Sequence, residues 1–166
     1  MEAIQISTVE DYLKMMSAMR KQITGPDSKY KFSSIEEFVL EYGQHFPEYQ
    51  TKPRWVKRGI IKECFSNCFD ALLRNSDRLI YCEGYATGVI PVHHAWLLLD
   101  GKVVDPTWHG RDIVSDKTEY FGVPFNTQYV LKVAAESGYY GVLDNFAQNY
   151  PLLRGEHGSE IFLNNN

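Results

Sequence analysis

The sequence predicts an α+β domain in which N-terminal helices pack on a small antiparallel β-sheet, and three observations carry that prediction. Apolar residues recur at helical spacing as far as Arg74. From Leu79 the pattern becomes rich in Ile, Val, Tyr and Trp, and an Asp100-Gly101 pair then marks a tight turn inside that second stretch. With 166 residues, 44% hydrophobic and 23% charged, the chain has apolar side chains for one core, so a single domain is expected over 1–166 with its core at 60–108.

Taken in order, Ser7 with Glu10 reads as a capping box, and Tyr12, Leu13, Met16 and Met19 then share a helix face, which predicts a helix over 8–22 that stops near Gly25-Pro26. Ser33 with Glu36 opens a second helix whose Ile35, Phe38, Val39 and Tyr42 share a face, and Gly43 is placed to end it. Pro47 and Pro53 mark a connection. A third helix is predicted from about Glu63 to Arg74, with Phe65, Cys68, Phe69 and Leu72 as its core stripe. Three antiparallel strands follow from Leu79, two of them, 93–99 and 102–107, joined by the Asp100-Gly101 turn. Residues 109–119 read as loop, 120–125 as a short strand, 126–137 as a helix, and 155–166 as a polar, mobile tail.

Composition narrows the function classes. No apolar run approaches the roughly 18 to 20 residues that cross a bilayer, and MEAIQISTVED lacks the basic start and apolar centre of a secretory signal, so a soluble, cytoplasmic protein is expected. Seventeen Lys and Arg against 21 Asp and Glu give a formal charge of −4, which offers no global attraction to nucleic acid or anionic membrane. Cys64, Cys68 and Cys82 are odd in number and crowded together, as expected of reduced thiols and not of a secreted disulfide framework.

The hairpin makes a geometric prediction. A turn centred between 100 and 101 places Trp96 opposite Asp105, and strand alternation puts His94, Trp96 and Leu98 on the face that Asp105 shares. His94 and Asp105 are then diagonal neighbours roughly 7–8 Å apart at the backbone, a gap that an imidazole and a carboxylate bridge with a hydrogen bond. An imidazole oriented in this way activates a nucleophile at its other nitrogen, and Cys64 stands at the start of the helix before the strands, where free N–H groups favour a thiolate. His93, by the same alternation, turns to the opposite face.

The order of Cys64, helix, strand, His94-Ala95-Trp96 and then Asp105-Pro106-Thr107-Trp108 resembles the core of the transglutaminase-like superfamily of papain-like cysteine enzymes, over residues 64–108. ECFSNCFDALL and YCEGYA are also similar to small bacterial and phage proteins, which would place the chain in a host cytoplasm if it is phage-encoded. The resemblance implies a papain-like core and a Cys64-His94-Asp105 triad that cleaves or transfers acyl groups at amides. It also favours Cys64 over Cys68, because the family tends to carry a small residue four positions after its nucleophile: Cys68 if Cys64 acts, but Leu72 if Cys68 acts. Glu63 replaces the usual glycine before the nucleophile, and the large flanking domains of calcium-dependent crosslinking members are missing, so crosslinking is not implied. Asn67 is the nearest side-chain amide for an oxyanion, and Tyr81, Glu83 and Trp96 are candidates to line the cleft.

The leading expectation is a cysteine-dependent hydrolase or acyltransferase acting on a peptide, protein or small amide, with no cofactor and no metal. Zinc on Cys64, Cys68, Cys82 and His94 is disfavoured because the two helical cysteines and the two strand residues lack the spacing of zinc knuckles. A non-catalytic peptide- or protein-binding module on the same fold is the alternative. Nucleic-acid binding ranks third and rests on the run KPRWVKRGIIK, which also suits an anionic substrate group.

Overall fold

Four helices and five strands are described across residues 6–25, 29–111 and 113–163 of the computed structural model. Helix α1 (Val9–Thr24) begins one residue later than its sequence signature suggested. Thr8, not Ser7, is the cap: its hydroxyl accepts from the Asp11 N–H, and the Asp11 carboxylate accepts from the Thr8 N–H. The stretch STVED fits the capping spacing in both registers, and burial of Val9 and Leu13 accompanies the later one, in which Met19 is left half-exposed. Helix α2 (Ile35–Tyr42) shows the same shift, with Ser34 as cap and the Glu37 carboxylate accepting from both the N–H and hydroxyl of Ser33. The shift turns Glu36 inward, where it accepts a 2.9 Å hydrogen bond from the Tyr85 hydroxyl. Helix α3 (Cys64–Arg74) buries Cys64, Cys68, Ala71 and Leu72, and Phe65 and Phe69 flank that stripe half-buried. Helix α4 (Thr127–Ser137) is capped by Asn126.

The strands are β1 (Gln44–His45), β2 (Ile80–Thr87), β3 (Pro91–Leu99), β4 (Lys102–Val104) and β5 (Tyr120–Phe125), in the order β1-β5-β2-β3-β4 with all neighbours antiparallel. The turn between β3 and β4 has Asp100 and Gly101 both at positive φ, 53° and 77°, as a two-residue turn of this kind requires, and Leu98 pairs with Val103 in the expected register. The sheet curls. Residues 44–50 run from the β5 edge, where the Phe46 N–H bonds the Tyr120 carbonyl, to the β4 edge, where Tyr49 bridges Val103 and the Gln50 N–H bonds the Val103 carbonyl.

Alternation sorts the core into two parts. One sheet face carries Tyr81, Tyr85, Ala95, Leu97 and Val123 against the helices, and the other holds a smaller cluster of Phe46, Cys82, Trp96, Leu98, Trp108 and Tyr120. Gly84 and Gly122 face each other across β2 and β5, and a Cβ on Gly84 would lie 2.4 Å from the Gly122 Cα. A Cβ on Gly122 would lie 2.6 Å from the Trp96 ring.

The C-terminal segment departs from expectation. Residues 155–163 were expected to be mobile, but Ile161 is fully buried, Phe162 bridges Phe125, and the His157 ring packs edge-on among Phe38, Tyr42 and Phe162. Ile161 and Phe162 pack on the core and the Ile161 carbonyl accepts the Asn126 N–H; residues 164–166 lie outside the described part. Among the described residues, no helix is long and apolar enough to cross a membrane.

Candidate active site

Asp105 follows β4 directly and is completely buried, an arrangement that needs several donors to hold its charge. It has four. His94 Nε2 and the Tyr120 hydroxyl meet Oδ2 at 2.7 and 3.0 Å, and the backbone N–H groups of Thr107 and Trp108 each donate to Oδ1 at 2.9 Å. The Asp-Pro-Thr-Trp sequence explains the second pair: Pro106 has no N–H to offer, so the carboxylate takes the next two in an Asx-type turn. Burial opposes ionisation of Asp105, but the His94 charge and these hydrogen bonds outweigh it and hold its pKa below the ordinary 3.8.

His94 is 2% exposed and sits on β3 opposite Gly84. The Trp108 indole stacks on its ring, with centroids 4.0 Å apart and planes 17° from parallel, so the imidazole is fixed in plane as well as in direction. Burial disfavours the imidazolium. The charge and hydrogen bond of Asp105, with smaller hydrogen-bonding and charge contributions from Cys64, overcome that penalty and raise the pKa from 6.5 to about 9. With Nε2 committed to Asp105, Nδ1 is the ring nitrogen left for Cys64.

Cys64 is the first residue of α3 and 7% exposed, whereas Cys68 and Cys82 are fully enclosed; burial pushes both of those thiols well up, so they stay neutral. All three cysteines are free. The helix start is unusual in this molecule. Thr8, Ser34 and Asn126 cap the other three α-helices with side-chain oxygens, while Glu63 before Cys64 makes no side-chain cap, and Lys62 ahead of it holds a left-handed φ of 67°. Glu63 therefore leaves the first-turn N–H groups of α3 without the side-chain acceptor that caps the other helices.

The remaining sequence candidates have other surroundings. Asn67 spends both amide hydrogens, one on the Ile60 carbonyl at 2.7 Å and one on the Thr107 hydroxyl at 2.9 Å, while its oxygen accepts the Ile60 N–H. It ties the 59–60 loop and the 105–108 turn to α3, leaving no side-chain donor for an oxyanion. Tyr81, Glu83 and Trp96 do not line an open cleft, since all three are completely buried. Trp96 fills the smaller core cluster. Glu83 Oε2 accepts from the Tyr81 hydroxyl at 3.0 Å and the Val142 N–H at 2.7 Å, and Oε1 accepts from the Leu143 N–H at 3.1 Å, so this carboxylate anchors the C-terminal segment to the sheet.

Tyr120 escaped the sequence reading. Its strand was legible, but its partner depends on β5 lying next to β2, which no local pattern specifies. No family model, curated protein or solved structure matches the chain. Among the described residues, no three His, Cys, Asp or Glu side chains converge in a way that would hold a metal ion.

Proposed function

We propose that the chain is a cysteine-dependent acyl hydrolase or transferase with Cys64 as nucleophile, His94 as general acid and base, and Asp105 as the group that fixes the imidazole, on a transglutaminase-like, papain-like fold. The observation that carries this reading is the buried 2.7 Å His94–Asp105 hydrogen bond, on an imidazole whose charged form Cys64 also favours. In the proposed reaction the Cys64 sulfur bonds to a carbonyl carbon, and the first-turn N–H groups of α3 receive the oxyanion. The C–N or C–O bond breaks as His94 protonates the leaving amine or alcohol. Water or an acceptor amine, deprotonated by His94, then cleaves the thioester and restores the thiol. Free, unpaired cysteines fit a reducing setting, and we place the protein in the cytoplasm on that ground.

The test needs no natural substrate. Incubated with p-nitrophenyl acetate, the wild-type chain is expected to release nitrophenol and carry an acetyl group on Cys64 in peptide mass spectra. The variants Cys64→Ala, His94→Ala and Asp105→Asn should fold and lose that adduct. Slow, equal acylation of Cys64 and surface lysines, unchanged in His94→Ala, would overturn the proposal. One observation favours a second reading, a non-catalytic peptide-binding module on the same fold: Cys64 is only 7% exposed, which restricts the approach of a carbonyl. In that case the adduct is absent while a bound peptide is retained by the Cys64→Ala chain.

A further inference from the structure

The chain carries a net charge of −4, yet the run 52–62 holds five basic residues and no acidic one, and it forms one wall of a groove of about 370 Å³ along the outer side of α3. Three cations line this groove, Lys57, Arg58 and Arg74, against a single carboxylate, Asp70. None of the four forms an ion pair among the described residues, although Asp70 stands four residues before Arg74 on the same helix, the spacing at which such pairs ordinarily close. Arg58 is held in place by a 3.0 Å bond to the Gly110 carbonyl. Trp55, 37% exposed, lines the same groove and is backed by the Arg78 guanidinium 4.4 Å from its ring centre.

Three cations gathered in one concavity against a single unpaired carboxylate repel one another, and a large aromatic ring left about one-third exposed forfeits burial; an anionic ligand with a planar part offsets both. The groove begins at Ile60 and Asn67, one helical turn beyond Cys64, and ends at Arg74, about 15 Å from Cys64 along the axis. Its volume falls in the range of small-molecule sites.

We propose that this groove binds a phosphate-bearing small molecule of nucleotide type, its phosphates on Lys57, Arg58 and Arg74 and its base against Trp55. That this ligand is the handle of the acyl substrate, laid along α3 so that its carbonyl reaches Cys64, rests on the function proposed above. Binding itself does not.

Titration calorimetry with ADP, adenosine and a twenty-nucleotide single strand tests it, on the wild-type chain and on Lys57→Ala, Arg74→Ala and Cys64→Ala. The expected result is one saturable ADP site, weakened about tenfold by Lys57→Ala and by Arg74→Ala, unchanged in Cys64→Ala, and much weaker for adenosine. Absence of saturable ADP binding, wild-type affinity for ADP in both cation variants, or tighter binding of the oligonucleotide than of ADP would each overturn the proposal. The outcomes separate the two readings: ester turnover at Cys64 without ADP binding keeps the thiol chemistry and removes the groove, while ADP binding without any Cys64 adduct keeps the groove and removes the thiol chemistry.

Discussion

His93 and His94 are neighbours on β3, and each stands beside a fully buried carboxylate, but strand alternation sends them to opposite faces and into different company. His94 meets Asp105 in an aligned 2.7 Å hydrogen bond, clamped by Trp108 and coupled to Cys64. His93 Nε2 lies 3.0 Å from Glu83 Oε1 but off the line of a hydrogen bond, with the Phe65 ring 5.1 Å away. The carboxylates differ in the same way. Asp105 takes its backbone donors from its own turn, two and three residues on, so its position is set locally. Glu83 takes them from Val142 and Leu143, some sixty residues away, so it works as a long-range tether. The pairing of histidine with a buried carboxylate is thus common to both faces; what distinguishes His94 is the alignment of its hydrogen bond and the contribution of Cys64 to its raised pKa.

The sharpest way to break this comparison is to exchange the histidines' losses. His94→Ala is expected to lower the rate of nitrophenyl acetate turnover by about a thousandfold or more, whereas His93→Ala should leave it within a small factor. Comparable losses in both would mean that the two faces are not distinct in function. The carboxylates give the converse result. Glu83→Ala leaves the Tyr81 hydroxyl and two backbone N–H groups buried without an acceptor, and a cost of about 3–5 kcal/mol is expected in urea unfolding. Hydrogen exchange at Val142 and Leu143 should accelerate in that variant before exchange in β3 does; uniform acceleration would show that Glu83 is not a local tether.

Much of this was legible in the sequence, and the boundary between what was and was not is physical. Asp100-Gly101 determines a turn, the turn determines the register, and the register brings His94 to Asp105, so a diagonal pair could be placed from local chemistry alone. Cys64 at a helix start was equally readable. Glu83 was not: it stood as a candidate to line a cleft, but whether its face of β2 meets solvent or core depends on segment 141–143 folding back across it, and nothing near residue 83 encodes that. Asn67 failed for a related reason, since closeness in sequence to Cys64 gave no hint that Ile60 and Thr107 claim its amide. The two capping registers show the limit at the smallest scale, because STVED and SSIEE satisfy the same spacing twice, and packing chooses.

The pH response sharpens the comparison further. Because the folded pKa of His94 is raised from 6.5 to about 9, its contribution to stability is complete below pH 6.5 and is lost as pH rises through about 9. Because that of Asp105 is lowered below 3.8, its contribution is present above that value and lost as pH falls through the folded pKa. The pair therefore contributes fully between about pH 4 and 6.5. The urea midpoint of the wild-type chain should decline from pH 6.5 to 9, and His94→Gln should remove that decline while His93→Gln preserves it. A decline that survives in His94→Gln would assign it to other groups.

The smallest effect separates the two tyrosines that serve the two carboxylates. Tyr120→Phe removes one donor from Asp105 Oδ2 and leaves three, and Tyr81→Phe removes one from Glu83, so each is expected to cost about 1.5–3 kcal/mol, the range for hydrogen bonds to charged groups. Stability alone does not tell them apart, but the acid limb of Cys64 alkylation by iodoacetamide does. With one hydrogen bond fewer on its charged form, Asp105 protonates at higher pH, releases His94, and moves that limb upward in Tyr120→Phe. Glu83 has no path to the sulfur through an imidazole, so the limb stays in place in Tyr81→Phe. A common shift in both variants would show that the two faces of β3 titrate as one network, and the local origin of the Asp105 clamp would no longer account for the reactivity of Cys64.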